Sequence, residues 1–279
     1  MARAGVIDTL EAVETALRGR LRASKRRPFV LGLCGAQGSG KSTLAAALAR
    51  RLGADGIGCV TLSLDDLYKT RAARQQMARD IHPLFATRGV PGTHDLSLAF
   101  ALIDALEHGR AGRAPRFDKA RDDRLPEEDW DDAPADTQVL ILEGWFVGAR
   151  PQEEAALDAP VNALERDDDP DAVWRRHANA ALARDYQRLF ARIDLLVLLA
   201  APAFRVVLDW RTEQERELRA EGRGGMTDED IARFIQHYER LTRHILAEMP
   251  AYAGLVIALN PDRSPRMIDN RCSLRAPVR

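Results

Sequence analysis

The chain has 279 residues, 46% hydrophobic and 30% charged, enough for a sizeable core in one α/β domain with insertions or in two small domains. A formal net charge of −1 provides no overall field to gather nucleic acid or an anionic membrane, so any anion site must be local. The longest strongly apolar run, Leu195 to Ala201, is far short of the roughly 20 residues that cross a bilayer. The N-terminus has no apolar leader, and Cys34, Cys59 and Cys272 show no CxxC spacing. Both features fit a reduced, cytoplasmic setting with neither a disulfide framework nor a zinc site.

From the N-terminus, Gly5 to Leu21 reads as a charged amphipathic helix, within an N-terminal unit of residues 1–27. A core unit of residues 28–262 follows. Phe29 to Cys34 is a strand, then come a glycine-rich turn and a helix over Ser42 to Leu52. Gly58 to Leu64 is a second strand, Leu96 to Glu107 a helix and Val139 to Leu142 a short buried strand. Pro170 to Phe190 is helical and Leu195 to Leu199 is a strand. Helices over Ala203 to Ala220 and Asp228 to Glu248 lead to a last strand, Leu255 to Leu259. Buried strands alternating with helices predict a parallel sheet covered on both faces. Gly109 to Pro134, rich in Arg and Asp, and the acidic Pro151 to Asp169 read as surface loops. Beyond Asn260 the chain is polar without a period, and residues 263–279 are expected to form a tail.

The glycine-rich turn carries the chemistry. Gly35, Ala36, Gln37, Gly38, Ser39, Gly40, Lys41 and Ser42 fit GxxxxGK[ST] between a strand and a helix, the setting that this phosphate-binding motif requires. Its backbone amides and the helix dipole would cradle nucleotide phosphates. Lys41 would reach the outer phosphates and the Ser42 hydroxyl would ligate Mg²⁺. No NKxD and no LSGGQ-like run accompany it, so guanine-specific switches and transporter ATPases are not supported. Glu143, at the end of the Val139 strand, is placed to hold a water on the Mg²⁺.

The second strand ends in Asp65 and Asp66, beside the phosphate loop in such a sheet. One carboxylate could take the proton of an acceptor hydroxyl, and strand alternation should turn the two acids apart. Arg88-Gly-Val-Pro-Gly-Thr-His-Asp95 presents polar groups before a helix, with Thr93 or Asp95 also suited to cap it. The segment Arg110 to Arg124 holds Arg116, Lys119 and further cations; a carboxylated acceptor needs forked donors, which Arg supplies better than Lys. Arg205, Arg211, Arg216, Arg219 and Arg223 could supply a lid arginine to the transferring phosphoryl group, or pair with Glu213, Glu215 and Glu217 on a solvated helix.

GAQGSGKST (through Thr43), SLDDLY, RGVPGTHD, PRFDKARDDR, LEGWFVG, DWRTEQE and GMTDEDIARFIQHYE occur in this order over most of the chain. In them the sequence resembles the D-glycerate 3-kinases, a branch of the uridine kinase, phosphoribulokinase and pantothenate kinase group. The resemblance implies a P-loop kinase fold, with a five-stranded parallel sheet flanked by helices and with lid and acceptor-loop insertions. It implies Mg-ATP as phosphoryl donor and a small hydroxy acid, D-glycerate, as acceptor. It makes Asp65 the base, Lys41 and Arg211 its catalytic companions, and Ser42, Asp65 and Glu143 the metal-side groups. Asp66, Tyr68, Arg88, His94, Asp95, Arg116, Lys119 and Glu143 become the acceptor contacts. The chain departs from the family pattern at Leu67, at Phe117 and at Glu239-Arg240-Leu241-Thr242. A nucleoside kinase, a pantothenate-type kinase and a nucleotide-switched binding ATPase are the competing readings.

Overall fold

The structure is a computed structural model that describes residues 2–220 and 226–271. Its centre is β1 (Phe29–Gly35), buried along its whole length. Parallel neighbours flank it, β7 (Val139–Gly144) on one side and β8 (Leu195–Ala200) on the other. β2 (Cys59–Ser63) pairs with β7, and β9 (Leu255–Leu259) with β8, both parallel. These are the five parallel strands that the apolar runs predict, since strands covered on both faces read as continuous Val, Ile and Leu.

A sixth strand completes the sheet. The polar stretch read as a tail instead forms β10 (Pro265–Asn270), antiparallel to β9, so the order is β10-β9-β8-β1-β7-β2. As an edge strand it exposes Met267 and Ile268, and no apolar alternation announces it. Helices cover the sheet: α1 (Ala2–Ala23), α2 (Lys41–Ala54), α3 (Arg71–Asp80), α4 (Leu96–Glu107), α5 (Ala163–Asp168), α6 (Val173–Ala181), α7 (Gln187–Phe190), α8 (Phe204–Ala220) and α9 (Asp228–Glu248). The helix read over Pro170 to Phe190 is broken within the Leu182–Tyr186 turn by a kink at Arg184, whose φ of −105° and ψ of −106° are not helical. The Arg- and Asp-rich insertion is not a plain loop. Within it β3 (Gly112–Ala114) pairs with β6 (Asp131–Ala133), and β4 (Phe117–Asp118) with β5 (Asp123–Arg124).

The acidic stretch also departs from a solvated loop. Glu165 is fully buried and takes both Arg240 Nε, at 2.7 Å, and Arg240 Nη2, at 2.6 Å. Asp169 and Arg175 form a second buried pair, at 3.0 Å. Arg240 therefore fastens this segment to α9, which accounts for one departure from the family pattern. The parallel register sets Glu143 beside Leu33 on one flank and Ser63 on the other. The carboxyl ends of β1, β7 and β2 thus bring the phosphate loop, Glu143 and the Asp65 turn to one edge, where open α/β sheets bind ligands.

Candidate active site

The phosphate loop is built for an anion. Gly40 stands before α2 with φ 86°, and no side chain caps the first helical amides. Those N–H groups and the positive end of the helix dipole are left for phosphate oxygens. Gly38 has φ 76°, and a Cβ there would lie 2.5 Å from Cβ of Trp210, so only glycine fits. Arg263 Nε donates to the Gly38 carbonyl at 2.6 Å and the guanidinium lies over the Trp210 ring. A cavity of about 240 Å³ opens on this outer side, between Thr43, Leu199, Gln214 and Leu259.

On the inner side the Ser42 hydroxyl donates to Glu143 Oε1 at 3.1 Å. Glu143 is buried, and its Oε2 has no hydrogen-bond partner. Two oxygens side by side, one unsatisfied, suit a hydrated divalent cation at the phosphate loop. Among the described residues no cluster of three or more His, Cys, Asp or Glu is poised to hold a metal.

Beside the loop is a small pocket of about 70 Å³, lined by Gln37, Lys41, Asp65, Tyr68, Arg88, Lys119, Trp145, Arg211, Phe234 and Tyr238. Asp65 reaches it from a 3₁₀ turn, Leu64–Leu67, that buries both its leucines and is capped by Ser63 Oγ. The two acids do point apart, as expected, but through this turn rather than strand alternation. Tyr68 Oη donates to Asp65 Oδ1 at 2.8 Å and Lys119 Nζ to Oδ2 at 2.7 Å. Burial alone would raise the Asp65 carboxyl, but Lys119 and Lys41 outweigh it and hold the group well below the usual carboxylate range.

Arg88 binds Asp122 and sits over the Phe117 ring. Its backbone carbonyl accepts from Tyr238 Oη at 3.1 Å. Gly89 next to it has φ 136°, and a Cβ there would strike the Tyr238 hydroxyl at 2.3 Å. Trp145 Nε1 donates to the Gly89 carbonyl at 3.0 Å. Arg211 pairs with Glu215 and lies over Phe234, and its buried Nε lacks a partner.

The phosphoribulokinase/uridine kinase family model matches residues 30–157. The uncharacterized kinase mug58 of Schizosaccharomyces pombe is 37% identical over 222 residues, 76% of this chain and 79% of its own length. The chain belongs to this family of P-loop kinases. The chloroplastic D-glycerate 3-kinase of Arabidopsis thaliana is 27% identical over 85% of this chain, which spans about half (54%) of the plant enzyme's length. The solved structure of the D-glycerate 3-kinase from Cryptococcus neoformans superposes with a TM-score of 0.78 at 25% identity. That match covers 95% of this chain and 98% of the other. The resemblance to D-glycerate 3-kinases drawn from the sequence is thus borne out.

Not every residue predicted for the site of this family kinase lies in the pocket. Gln37, Lys41, Asp65, Tyr68, Arg88, Lys119 and Arg211 converge there, with Ser42 and Glu143 adjoining. Asp66 instead accepts from Arg116 Nη1, at 2.8 Å, and from the Phe117 amide, at 3.1 Å. It pins the β4–β5 hairpin, and Arg116 spends its other nitrogens on Asp131. Asp95 does precede α4, but its carboxylate takes Ser97 and, at 3.1 Å, Arg124 rather than a helix amide. His94 is buried behind Tyr68, with ring centres 4.6 Å apart. Among the candidate lid arginines, Arg216 and Arg219 pair with Asp228. Arg205 is exposed, while Arg223 lies outside the described residues. Sequence reasoning missed the aromatic wall of Trp145, Phe234 and Tyr238, although all three stand inside LEGWFVG and the α9 motif.

Proposed function

We propose that this kinase transfers the γ-phosphoryl group of ATP to a hydroxyl of D-glycerate, giving 3-phospho-D-glycerate. The observation that carries the reading is the acceptor pocket. Four cations, Lys41, Arg88, Lys119 and Arg211, surround one carboxylate, Asp65, in a space with room for only a few water molecules. That suits a three-carbon acid and leaves no slot for a nucleoside. The named likeness to two D-glycerate 3-kinases supports it.

In this reading the loop amides and Lys41 hold the phosphates, and the outer cavity receives the nucleoside. Ser42 and Glu143 would hold Mg²⁺, which would supply neutralisation of phosphate charge. Asp65 is better used as base than as metal ligand, since Tyr68 and Lys119 already occupy its oxygens. Arg88 and Lys119 take the acceptor carboxylate. As Lys119 turns toward it, its grip on Asp65 weakens, and Asp65 can accept the hydroxyl proton while the hydroxyl oxygen attacks phosphorus. Arg211 neutralises the charge that develops on the leaving phosphate. A coupled assay of ADP release tests this. D-glycerate should stimulate turnover at least 100-fold, uridine and pantothenate should not, and equal stimulation by all three would refute it.

A further inference from the structure

His94 and Asp95, left out of the acceptor pocket, line a second cavity of about 690 Å³ that is some ten times roomier. Tyr68 and His94 stand ring against ring between the two spaces. The far walls come from Lys69, from His177 on α6, and from Arg184 and Tyr186 at the kink that follows it.

The charges in the cavity do not cancel. Its two acids are already engaged, Asp95 by Arg124 at 3.1 Å and Asp185 by Arg188 at 3.0 Å. The side chains of Lys69 and Arg184 make no hydrogen bond or close ion pair among the described residues, though both line the same space and Lys69 helps hold the Asp95 carboxyl down from a distance. One unspent polar atom also lies in the wall. The Gly92 amide donates to Tyr186 Oη at 2.9 Å, and that hydroxyl meets His94 Nδ1 at 2.7 Å. We assign the hydroxyl hydrogen to this second contact, which leaves the His94 hydrogen on Nε2. That atom is buried without a partner.

We propose that this cavity is a second anion site, which takes a small phosphate monoester through Lys69 and Arg184. Two cations without close carboxylate partners match the double charge of a phosphoryl group, for which an arginine fork and a lysine point charge are both suited. The volume leaves room beside a phosphoryl group for an organic portion. The site shares its wall with the acceptor pocket. Lys69 directly follows Tyr68, whose hydroxyl holds Asp65, and the Lys69 amide donates to the Thr93 carbonyl at 2.9 Å. An anion that draws on Lys69 therefore acts beside the residue that orients Asp65, and the coupling must be reciprocal.

Calorimetric titration of the Lys41→Ala protein, whose phosphate loop is disabled, with inorganic phosphate and with glycerol 3-phosphate tests the site. The monoester should bind at least 10-fold tighter than phosphate. Adding Lys69→Met or Arg184→Gln should weaken it at least 10-fold. In the otherwise unaltered enzyme, saturating monoester should change the acceptor KM at least threefold, and Arg184→Gln alone should abolish that change. The site is overturned if Lys41→Ala binds neither probe, if both bind equally, or if the two added substitutions leave affinity unaltered. Competition with the acceptor that survives Arg184→Gln would place the monoester in the acceptor pocket and likewise overturn the proposal.

Discussion

Asp65→Asn removes the proposed proton acceptor and little else. The amide oxygen can still accept from Tyr68, which donates at 2.8 Å, but the amide nitrogen then faces Lys119 donor to donor, so the 2.7 Å contact is lost. General bases contribute about 10²–10⁴-fold. Lys119 and Lys41 hold Asp65 well below the usual range, and a carboxylate of low proton affinity is a weak base. The expected loss therefore lies in the lower half of that span, about 10²–10³ in kcat. ATP affinity should hold within about threefold, because the loop amides and Lys41 carry the phosphates. Asp66→Asn is the comparison: it frees Arg116 and the Phe117 amide, so it should raise the acceptor KM and spare kcat. Parallel measurement of kcat, both KM values and the ATP Kd decides the matter. A kcat within tenfold of wild type for Asp65→Asn, or a larger kcat loss for Asp66→Asn, refutes the assignment of the base.

Lys41→Ala should leave the circular dichroism spectrum intact while turnover falls by several orders of magnitude; a folded variant with a tenth of the activity would remove the loop from the mechanism. Arg88→Met should raise the acceptor KM about 10–100-fold and the ATP KM little, the loss of one charge-assisted contact worth roughly 1.5–3 kcal/mol. Steady-state kinetics with each substrate varied checks this, and twofold changes in both would make Arg88 a purely structural partner of Asp122. Arg240→Leu strands the buried Glu165 carboxylate and should cost about 3–5 kcal/mol in urea unfolding; less than 1 kcal/mol would contradict the pairing. His94, pushed down to about 3 chiefly by burial, binds its proton more weakly folded than unfolded. Its contribution is complete above pH 6.5 and is lost as pH falls toward about 3, so the stability lost between pH 7.5 and 4.5 should shrink by roughly 2 kcal/mol in His94→Gln. Equal losses in the two proteins would refute this.

What could be read in advance follows from how local each feature is. The phosphate loop is one continuous segment whose glycines and lysine act through backbone geometry, so eight residues declare it. The five parallel strands are legible because burial on both faces demands unbroken apolar runs such as Val139 to Leu142. β10 is hidden because an edge strand satisfies only one neighbour and leaves Met267 and Ile268 in solvent. The β4–β5 hairpin is too short, at two residues a strand, for any alternation to show. Its position depends on Asp66, fifty residues earlier than Arg116. Glu165 and Arg240 resemble surface charges until the fold buries them together, 75 residues apart.

The division of RGVPGTHD is the sharper lesson. Arg88 at its head enters the acceptor pocket while His94 and Asp95 at its foot line the second cavity. Tyr68 bridges to His94, and that zipper is the wall between them. A run of eight residues cannot report which side of a wall each one reaches. Nor does the net charge of −1 forecast a cationic pocket, because three of its cations bring their own acid: Arg88 has Asp122, Arg211 has Glu215 and Lys119 has Asp65. An anionic acceptor entering here exchanges partners with these acids rather than filling a bare positive field. Each exchange leaves a carboxylate to be resolvated or protonated, so the gain per contact is far below the gross Coulomb attraction. The Lys119 exchange has an additional consequence, since the acid it releases is the proposed base. If the acceptor is the proposed hydroxy acid, binding energy from its carboxylate is thereby expressed at the reacting hydroxyl, and an alcohol without that carboxylate should forfeit rate as well as affinity.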